Sequence, residues 1–189
     1  MDREGLCGRC SEGEREFFLA RSVGYYTPEN ILGKCIRGLK YEEEKALARP
    51  LASLFLKGPT KDLVQRVEGV CYVPQFSPSR FRQGFNHARL LARNLAHQVD
   101  LPLLSILRKV EQTRPQVELN FAERRRNLQN VMEATRTVGR DSLLLVDDVF
   151  TTGTTAAECA RALKAAGCRK VFIATLARGG VRSERGFQN

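Results

Sequence analysis

Short stretches rich in apolar residues recur along the chain, and these stretches predict the strands. Two of them are residues 143–149 and 170–177. The first begins with LLLV, which lacks alternation of polar and apolar residues, and this is typical of a strand covered on both faces, as in a parallel sheet. Stretches at residues 22–27, 67–73 and 103–110 predict three further strands.

Apolar residues spaced three and four positions apart predict helices between these strands. Stretches with this spacing lie at residues 31–39, 42–56, 88–99 and 156–166. Thr27 followed by Pro28 predicts the start of the first helix, and Gly167 predicts the end of the last one. Asn120 and Glu123 have the spacing of a capping box and predict a short basic helix. Strands alternating with helices predict an α/β fold with a mainly parallel sheet.

The composition is that of an ordinary globular domain with a basic surface. The chain has 189 residues, 42% of them hydrophobic, which suggests about one domain. No apolar run is long enough to span a bilayer, and the charged N-terminus lacks the apolar stretch of a signal peptide, so we expect a cytoplasmic protein without membrane insertion. The net charge of +10 favours anionic partners, either nucleic acid or phosphorylated small molecules.

The segment LLLVDDVFTTGTT contains the strongest chemical signal in the chain. It places Asp147 and Asp148 at the end of a buried strand, where ligands bind in open α/β sheets. Thr155 and Glu158 have capping-box spacing, so a helix N-terminus, a natural phosphate site, is expected next to them. Gly153 lets the backbone approach an anion closely. The segment therefore offers acceptors for sugar hydroxyls beside donors for a phosphate, as a ribose 5-phosphate requires.

Three other interpretations account for this segment less well. A strand, a turn and a capped helix without a ligand would leave the acidic pair and Thr151 and Thr152 unexplained. A receiver domain carries its acidic pair near its start, whereas here only 41 residues (189 − 148) follow Asp148. A P-loop NTPase requires an upstream G-x-x-x-x-G-K-[ST] motif, and the chain contains none.

The same segment resembles the phosphoribosyl-pyrophosphate (PRPP) motif of type I phosphoribosyltransferases. Residues 73–96 resemble the VP…R…RGFNQ…LA segment of the ComF/GntX family, and residues 114–132 resemble its Q…AERRRN segment. Leu39-Lys40-Tyr41 resembles its LKY segment. The resemblance implies a type I phosphoribosyltransferase fold, a mainly parallel twisted sheet flanked by helices, with a small N-terminal or hood region. Residues 22–189 would form this domain.

The N-terminus departs from the family, whose members usually carry a four-cysteine zinc module. Only Cys7 and Cys10 have ligand spacing here, and they match the second pair of that module. Either the sequence starts inside the module or the module has decayed. We expect residues 1–21 to be a remnant that holds no stable zinc. A second departure is that the family's RGFNQ becomes QGFNH, which replaces one loop arginine by Gln83 and places His87 at its end.

The resemblance also implies roles for individual residues. Asp147 and Asp148 would hold the ribose hydroxyls, directly or through Mg²⁺ bound with PRPP, and would be the catalytic acids. The cradle for the 5-phosphate would consist of Thr151, Thr152, Gly153, Thr154 and Thr155. Candidates for the pyrophosphate side are Pro74, Gln75, Arg80, Arg82, Arg124 and Arg125.

Two functions remain open at this point. One is a PRPP-dependent transferase with an unknown acceptor. The other is a non-catalytic PRPP-binding factor in DNA uptake or regulation that binds single-stranded DNA or the competence machinery. Phe76, Phe81 and Phe85 among Arg80 and Arg82 would suit DNA. An oligomer is compatible with the sequence. We expect His87 and His97 to be structural or surface residues, since neither has a visible partner in the sequence.

Overall fold

A computed structural model describes residues 16–41, 44–75, 86–110 and 131–179 of the chain. Its main element is a parallel sheet of five strands in the order β1-β7-β6-β2-β3. The strands of this sheet are β1 (Leu19–Tyr25), β2 (Val70–Tyr72), β3 (Leu103–Leu104), β6 (Ser142–Phe150) and β7 (Lys170–Arg178). A second, antiparallel pair consists of β4 (Leu107–Lys109) and β5 (Met132–Ala134). The α/β class and the parallel sheet predicted from the sequence are confirmed.

Helices connect the strands. They are α1 (Ile31–Tyr41), α2 (Ala48–Leu54), α3 (Lys61–Val64), α4 (His87–Gln98) and α5 (Thr154–Ala165), with short 3₁₀ turns at Lys45–Leu47 and Gly58–Thr60. The single helix expected at residues 42–56 is replaced by the first of these turns and α2. Pro50 lies in the first turn of α2, where a missing N–H removes no intrahelical hydrogen bond.

The strand expected at residues 103–110 is divided between the two sheets. Leu103–Leu104 pairs with β2 at the edge of the main sheet, whereas Leu107–Lys109 pairs with β5. Between them Ile106 is buried, and its carbonyl accepts a hydrogen bond from the Thr135 N–H at 2.8 Å. The chain therefore leaves the main sheet at this buried residue, which the apolar pattern of residues 103–110 does not reveal.

The sheet separates two hydrophobic clusters. On one face, Leu144 and Val146 of β6 pack with residues of α1, α2, α3 and α4. On the other face, Leu143 and Leu145 pack with α5 and with the β4–β5 pair. Because successive side chains of a strand point to opposite faces, β6 contributes equally to both clusters and is central to the core.

The first helix begins later than the sequence predicts. Asn30, not Thr27, supplies the capping oxygen, since its Oδ1 accepts from the Gly33 N–H at 2.6 Å. The Asn30 amide also donates to the Tyr25 carbonyl at 2.8 Å, which ties the helix to the end of β1. Thr27 Oγ1 accepts only from the Asn30 N–H, at 3.2 Å.

We expect Asn30→Ala to lower the free energy of unfolding by about 1–2 kcal/mol, because it removes a cap and the link to β1. Thr27→Ala is the matched control and should cost less, since its one bond is longer and exposed. Urea denaturation of both variants measures the difference. A larger loss from Thr27→Ala would contradict this assignment of the cap.

No helix within the described ranges combines the length and the apolar composition that a transmembrane span requires.

Candidate functional site

The two acidic residues lie near the carboxyl end of β6, between β7 and β2. Asp147 is in register with Thr175 of β7, and Val146 is in register with Tyr72 of β2. The strand alternation directs Asp147 to the face of α5 and Asp148 to the face of α1 and α4. The two carboxyl groups therefore point to opposite faces of the sheet.

Asp148 is paired with a lysine from the first helix. The residue is 5% exposed, and the Lys40 Nζ lies 2.7 Å from its Oδ2. Burial alone would lower the pKa of the Lys40 ammonium, but the Asp148 carboxylate outweighs it, with a smaller contribution from Asp147, and raises that pKa above its ordinary value. Lys40 thus supplies the compensation that a buried carboxylate requires.

Asp147 forms no ion pair with any lysine among the residues that the structure describes. Burial, and then the neighbouring charge of Asp148, raise the pKa of its carboxyl to about 7 from an ordinary 3.8. The Asp148 N–H donates to Asp147 Oδ1 at 2.9 Å, which partly offsets this rise. On the same face, burial and then the charge of Asp147 raise the pKa of the Cys159 thiol to about 12. Burial beside Asp148 therefore favours the protonated form of Asp147 relative to an ordinary aspartic acid.

The loop after β6 turns sharply into α5 at Gly153. This residue has φ +82°, and it is the N-cap of the helix. The Thr152 and Thr154 hydroxyls lie 3.0 Å apart, and the Thr154 N–H donates to Thr152 Oγ1 at 3.4 Å. Since glycine has no side chain to cap the helix, the first N–H groups of α5 face the loop without a capping side chain from Gly153.

The capping box expected at Thr155 and Glu158 is wrong. The helix begins at Thr154, so Thr155 lies inside its first turn. Glu158 instead forms an ion pair with Arg161, one turn further on, at 3.0 Å. The C-terminal prediction is confirmed: Gly167 follows the last turn of α5, and its N–H donates to the Lys164 carbonyl at 2.9 Å.

The end of β2 lies beside the acidic pair. The Val73 N–H donates to the Val146 carbonyl at 3.1 Å, so Pro74 and Gln75 follow directly at the same edge of the sheet. The Asn86 amide donates to the Val73 carbonyl at 3.2 Å, while its Oδ1 caps α4 through the Arg89 N–H at 2.8 Å. Both ends of the segment between Gln75 and Asn86 are therefore held near β6.

His87 connects this segment to the helix that carries Lys40. Its Nδ1 lies 2.9 Å from Gln75 Nε2, and its Nε2 lies 3.1 Å from the Lys40 carbonyl. With Gln75 donating to Nδ1, the Nε2–H donates to the Lys40 carbonyl, which requires neutral imidazole. Burial lowers the pKa of His87, outweighing the charge of Asp148. His87 therefore has defined partners, which the sequence did not indicate.

Several predicted site residues lie outside the described ranges. They are the pyrophosphate-side candidates Arg80, Arg82, Arg124 and Arg125 and the zinc candidates Cys7 and Cys10. The described residues bring together Asp147, Asp148, Pro74, Gln75 and the loop 151–155 at one edge of the sheet.

Carboxylate oxygens are the side-chain atoms at this edge of the sheet that could hold a cation. Within the described part of the chain, no group of three or more His, Cys, Asp or Glu side chains could hold a metal. Mg²⁺ is commonly held by one or two carboxylates together with substrate phosphates. Asp147 fits that role, whereas Asp148 Oδ2 is already paired with Lys40.

Lys40 is the site residue to which the sequence assigned no role. A lone lysine at the end of an amphipathic helix is ordinarily a solvated residue, and only the LKY resemblance marked its position. Its partner Asp148 is 108 positions away (148 − 40), so no local pattern could have shown the pair.

Comparison with known proteins gives consistent similarities. The phosphoribosyl transferase domain family matches residues 82–186. DNA utilization protein YhgH of Salmonella typhimurium is 32% identical over 177 residues, which cover 91% of this chain and 77% of that protein. Competence protein F of Haemophilus influenzae is 30% identical over 183 residues, covering 91% and 78%. Among solved structures, orotate phosphoribosyltransferase from Aeropyrum pernix superposes with a TM-score of 0.44 at 19% identity, covering 72% of this chain and 62% of that one.

Proposed function

Because the chain belongs to the type I phosphoribosyltransferase family and, within it, to the branch of competence protein F, we propose that it binds PRPP and transfers the phosphoribosyl group to an acceptor. Its parallel sheet with helices on both faces is the type I phosphoribosyltransferase fold.

The observation that carries this proposal is the arrangement of β6, its loop and α5. Asp147 and Asp148 lie near the carboxyl end of a buried strand, and Gly153 turns the chain so that the N-terminus of α5 opens beside them. Carboxylates accept hydrogen bonds from sugar hydroxyls, and helix N–H groups donate to a phosphate. A ribose 5-phosphate would satisfy both ends of this arrangement at once.

The proposed reaction is a displacement at C1 of the ribose. The acceptor forms a bond to C1, the bond from C1 to the pyrophosphate oxygen breaks, and pyrophosphate leaves with the electron pair of that bond. When bound, Mg²⁺ offsets the negative charge on the leaving group. Asp147 and Asp148 would orient the ribose through its hydroxyls, and the α5 N-terminus would fix the 5-phosphate. Positioning and electrostatics then account for catalysis, and no covalent intermediate is required.

A second candidate function is suggested by the relatives and the charge of the chain. Two relatives are named for DNA utilization and competence, and the net charge of this chain is +10. A PRPP-binding protein without transferase activity could handle single-stranded DNA during uptake. Such binding would weaken steeply with salt, because it releases counterions from the phosphates.

We expect PRPP with Mg²⁺ to raise the melting temperature of the protein, since a ligand that binds only the folded state stabilises it. A panel of candidate bases, added with PRPP, should then release pyrophosphate, which an enzyme-coupled assay detects. Fluorescence anisotropy with labelled single-stranded DNA over a range of salt concentrations tests the second candidate. Ribose 5-phosphate alone is the control for binding without a leaving group.

The outcomes separate the two functions. Pyrophosphate release with one acceptor favours the transferase. A PRPP-induced shift without release, together with salt-sensitive DNA binding, favours the second candidate. If neither PRPP nor ribose 5-phosphate changed the melting temperature, the proposed site would be refuted.

A further inference from the structure

Lys40 occupies a position that its pairing with Asp148 explains only in part. The side chain of Asp148 is 7% exposed, but that of Lys40 is 25% exposed, so the ammonium is partly open to solvent. An ammonium carries three N–H donors, and one contact to a carboxylate oxygen does not use them all. Among the described residues, Asp148 is the ion-pair partner of this ammonium, and the open side of the ammonium can take a second, anionic partner from solution.

The surroundings of Lys40 show where such a partner would lie. The lysine belongs to the face of the sheet that carries α1 and α4, together with Asp148, whereas α5 packs on the opposite face. The helix N-terminus suited to the 5-phosphate is that of α5. A ligand of Lys40 would therefore be a different part of the substrate from the 5-phosphate.

The end of α1 is fixed to the segment that follows β2. The Lys40 carbonyl bonds His87 Nε2, and His87 Nδ1 bonds Gln75. These contacts join the backbone of Lys40 to the edge of the sheet beside β6. The ammonium is thus held by Asp148, while the backbone of Lys40 is fixed through His87 to Gln75.

We propose that Lys40 is a substrate-binding residue whose ammonium, oriented by Asp148, binds the diphosphate group of PRPP. This assignment rests on the proposed function, and it identifies the diphosphate as the part of PRPP that binds on the face of the sheet covered by α1 and α4. A lysine ammonium forms strong charge-assisted hydrogen bonds with phosphate oxygens. Its charge is present at physiological pH, since the ion pair with Asp148 favours the protonated amine. One lysine would then hold the ribose-binding acid on one side and the leaving group on the other.

The assignment gives His87 a positioning role. By bonding the Lys40 carbonyl and Gln75 together, it fixes the distance between the lysine and the segment after β2. His87→Gln introduces the residue found at this position in the related motif, and a glutamine amide can still hydrogen-bond to both partners. We therefore expect this variant to retain diphosphate binding.

The test compares three ligands by isothermal titration calorimetry at fixed Mg²⁺: pyrophosphate, PRPP and ribose 5-phosphate. Lys40→Gln keeps a hydrogen-bond donor for Asp148 but removes the charge. We expect it to weaken pyrophosphate and PRPP binding by about tenfold or more, and ribose 5-phosphate binding by less than about threefold. Lys34→Gln, an exposed lysine of the same helix, is the matched control and should leave all three affinities unchanged.

The results distinguish this proposal from the function on which it rests. Equal weakening of all three ligands by Lys40→Gln would show that Lys40 only supports Asp148 and would overturn the inference. Absence of pyrophosphate binding to the wild type would also overturn it. Failure of the wild type to bind ribose 5-phosphate would instead count against the proposed function, while a Lys40-dependent pyrophosphate affinity would still support the diphosphate site.

A second measurement needs no variant. Amine acylation of the wild-type protein, read out by mass spectrometry, reports the accessibility of Lys40. Pyrophosphate should protect Lys40 from acylation, with Lys34 as the internal reference, and ribose 5-phosphate should protect it less. Equal labelling of Lys40 with and without pyrophosphate would contradict the proposal even if Lys40→Gln failed to fold.

Discussion

Asp147→Asn should abolish PRPP binding and yet make the ligand-free protein more stable above neutral pH. The carboxylate is the proposed acceptor for a ribose hydroxyl, so its loss removes a charge-assisted hydrogen bond to the ligand. In the absence of ligand, the same carboxylate is buried beside Asp148 and has a raised pKa. The asparagine Oδ1 can still accept from the Asp148 N–H, so the local backbone bond is kept.

The pH dependence of this stabilisation follows from the sign of the shift. The folded pKa of Asp147 is about 7, above the ordinary 3.8, so its protonation favours the folded state. That contribution is complete below about pH 4 and is lost as the pH rises through about 7. Between about pH 5 and pH 8, the stability of Asp147→Asn relative to wild type should therefore rise by roughly 2 kcal/mol. Urea denaturation at the two pH values measures this change, and calorimetry with PRPP measures binding.

Asp148→Asn is the matched comparison at the adjacent position. It should also lose PRPP affinity, but we expect no stabilisation, because it removes the partner of Lys40 and leaves that ammonium without its carboxylate.

If Asp147→Asn bound PRPP as the wild type does, Asp147 would not be the ribose acceptor. A stability difference independent of pH would show that its carboxyl is ionised in both states.

Gly153→Ala should distort the loop before α5 and weaken PRPP binding by about tenfold or more, through loss of aligned N–H donors. Two effects act together. The residue has φ +82°, a conformation that costs a residue with a side chain about 1–2 kcal/mol. In addition, a Cβ at this position would lie 2.6 Å from Phe150 Cζ, so the phenyl ring or the loop must move.

Two variants separate these effects. Gly58→Ala has a comparable φ of +57° with no atom within 4 Å of the added Cβ, so it reports the conformational cost alone. Phe150→Ala combined with Gly153→Ala removes the ring that the methyl group would meet. We expect the pair to be less destabilising than the sum of the single changes, by urea denaturation. Additive effects would show that the methyl group does not meet the ring.

The sequence predicted those features that depend on local pattern. The apolar-rich runs predicted β6 and β7, and Gly167 marked the end of α5. The position of Asp147 and Asp148 near the carboxyl end of a central strand also followed, although the strand continues through Val149 and Phe150.

Features that depend on contacts between distant segments could not be predicted. Thr27 and Asn30 both have capping side chains, and only the path of the chain from β1 selects Asn30. Likewise, the turn at Gly153 starts α5 at Thr154 and excludes the capping box. The pairing of Lys40 with Asp148 depends on how α1 packs on the sheet, which apolar spacing does not specify.

The pairing of β1 with β7 has a consequence for synthesis of the protein. Residues 19–25 find their hydrogen-bonding partners in residues 172–178, near the other end of the described chain. During translation, this segment must wait with its backbone groups unpaired until residues 172–178 have left the ribosome. A nascent chain arrested before residue 170 would lack β7, which lies between β1 and β6 in the sheet. The unpaired edges of β1 and β6 would then be candidates for chaperone binding.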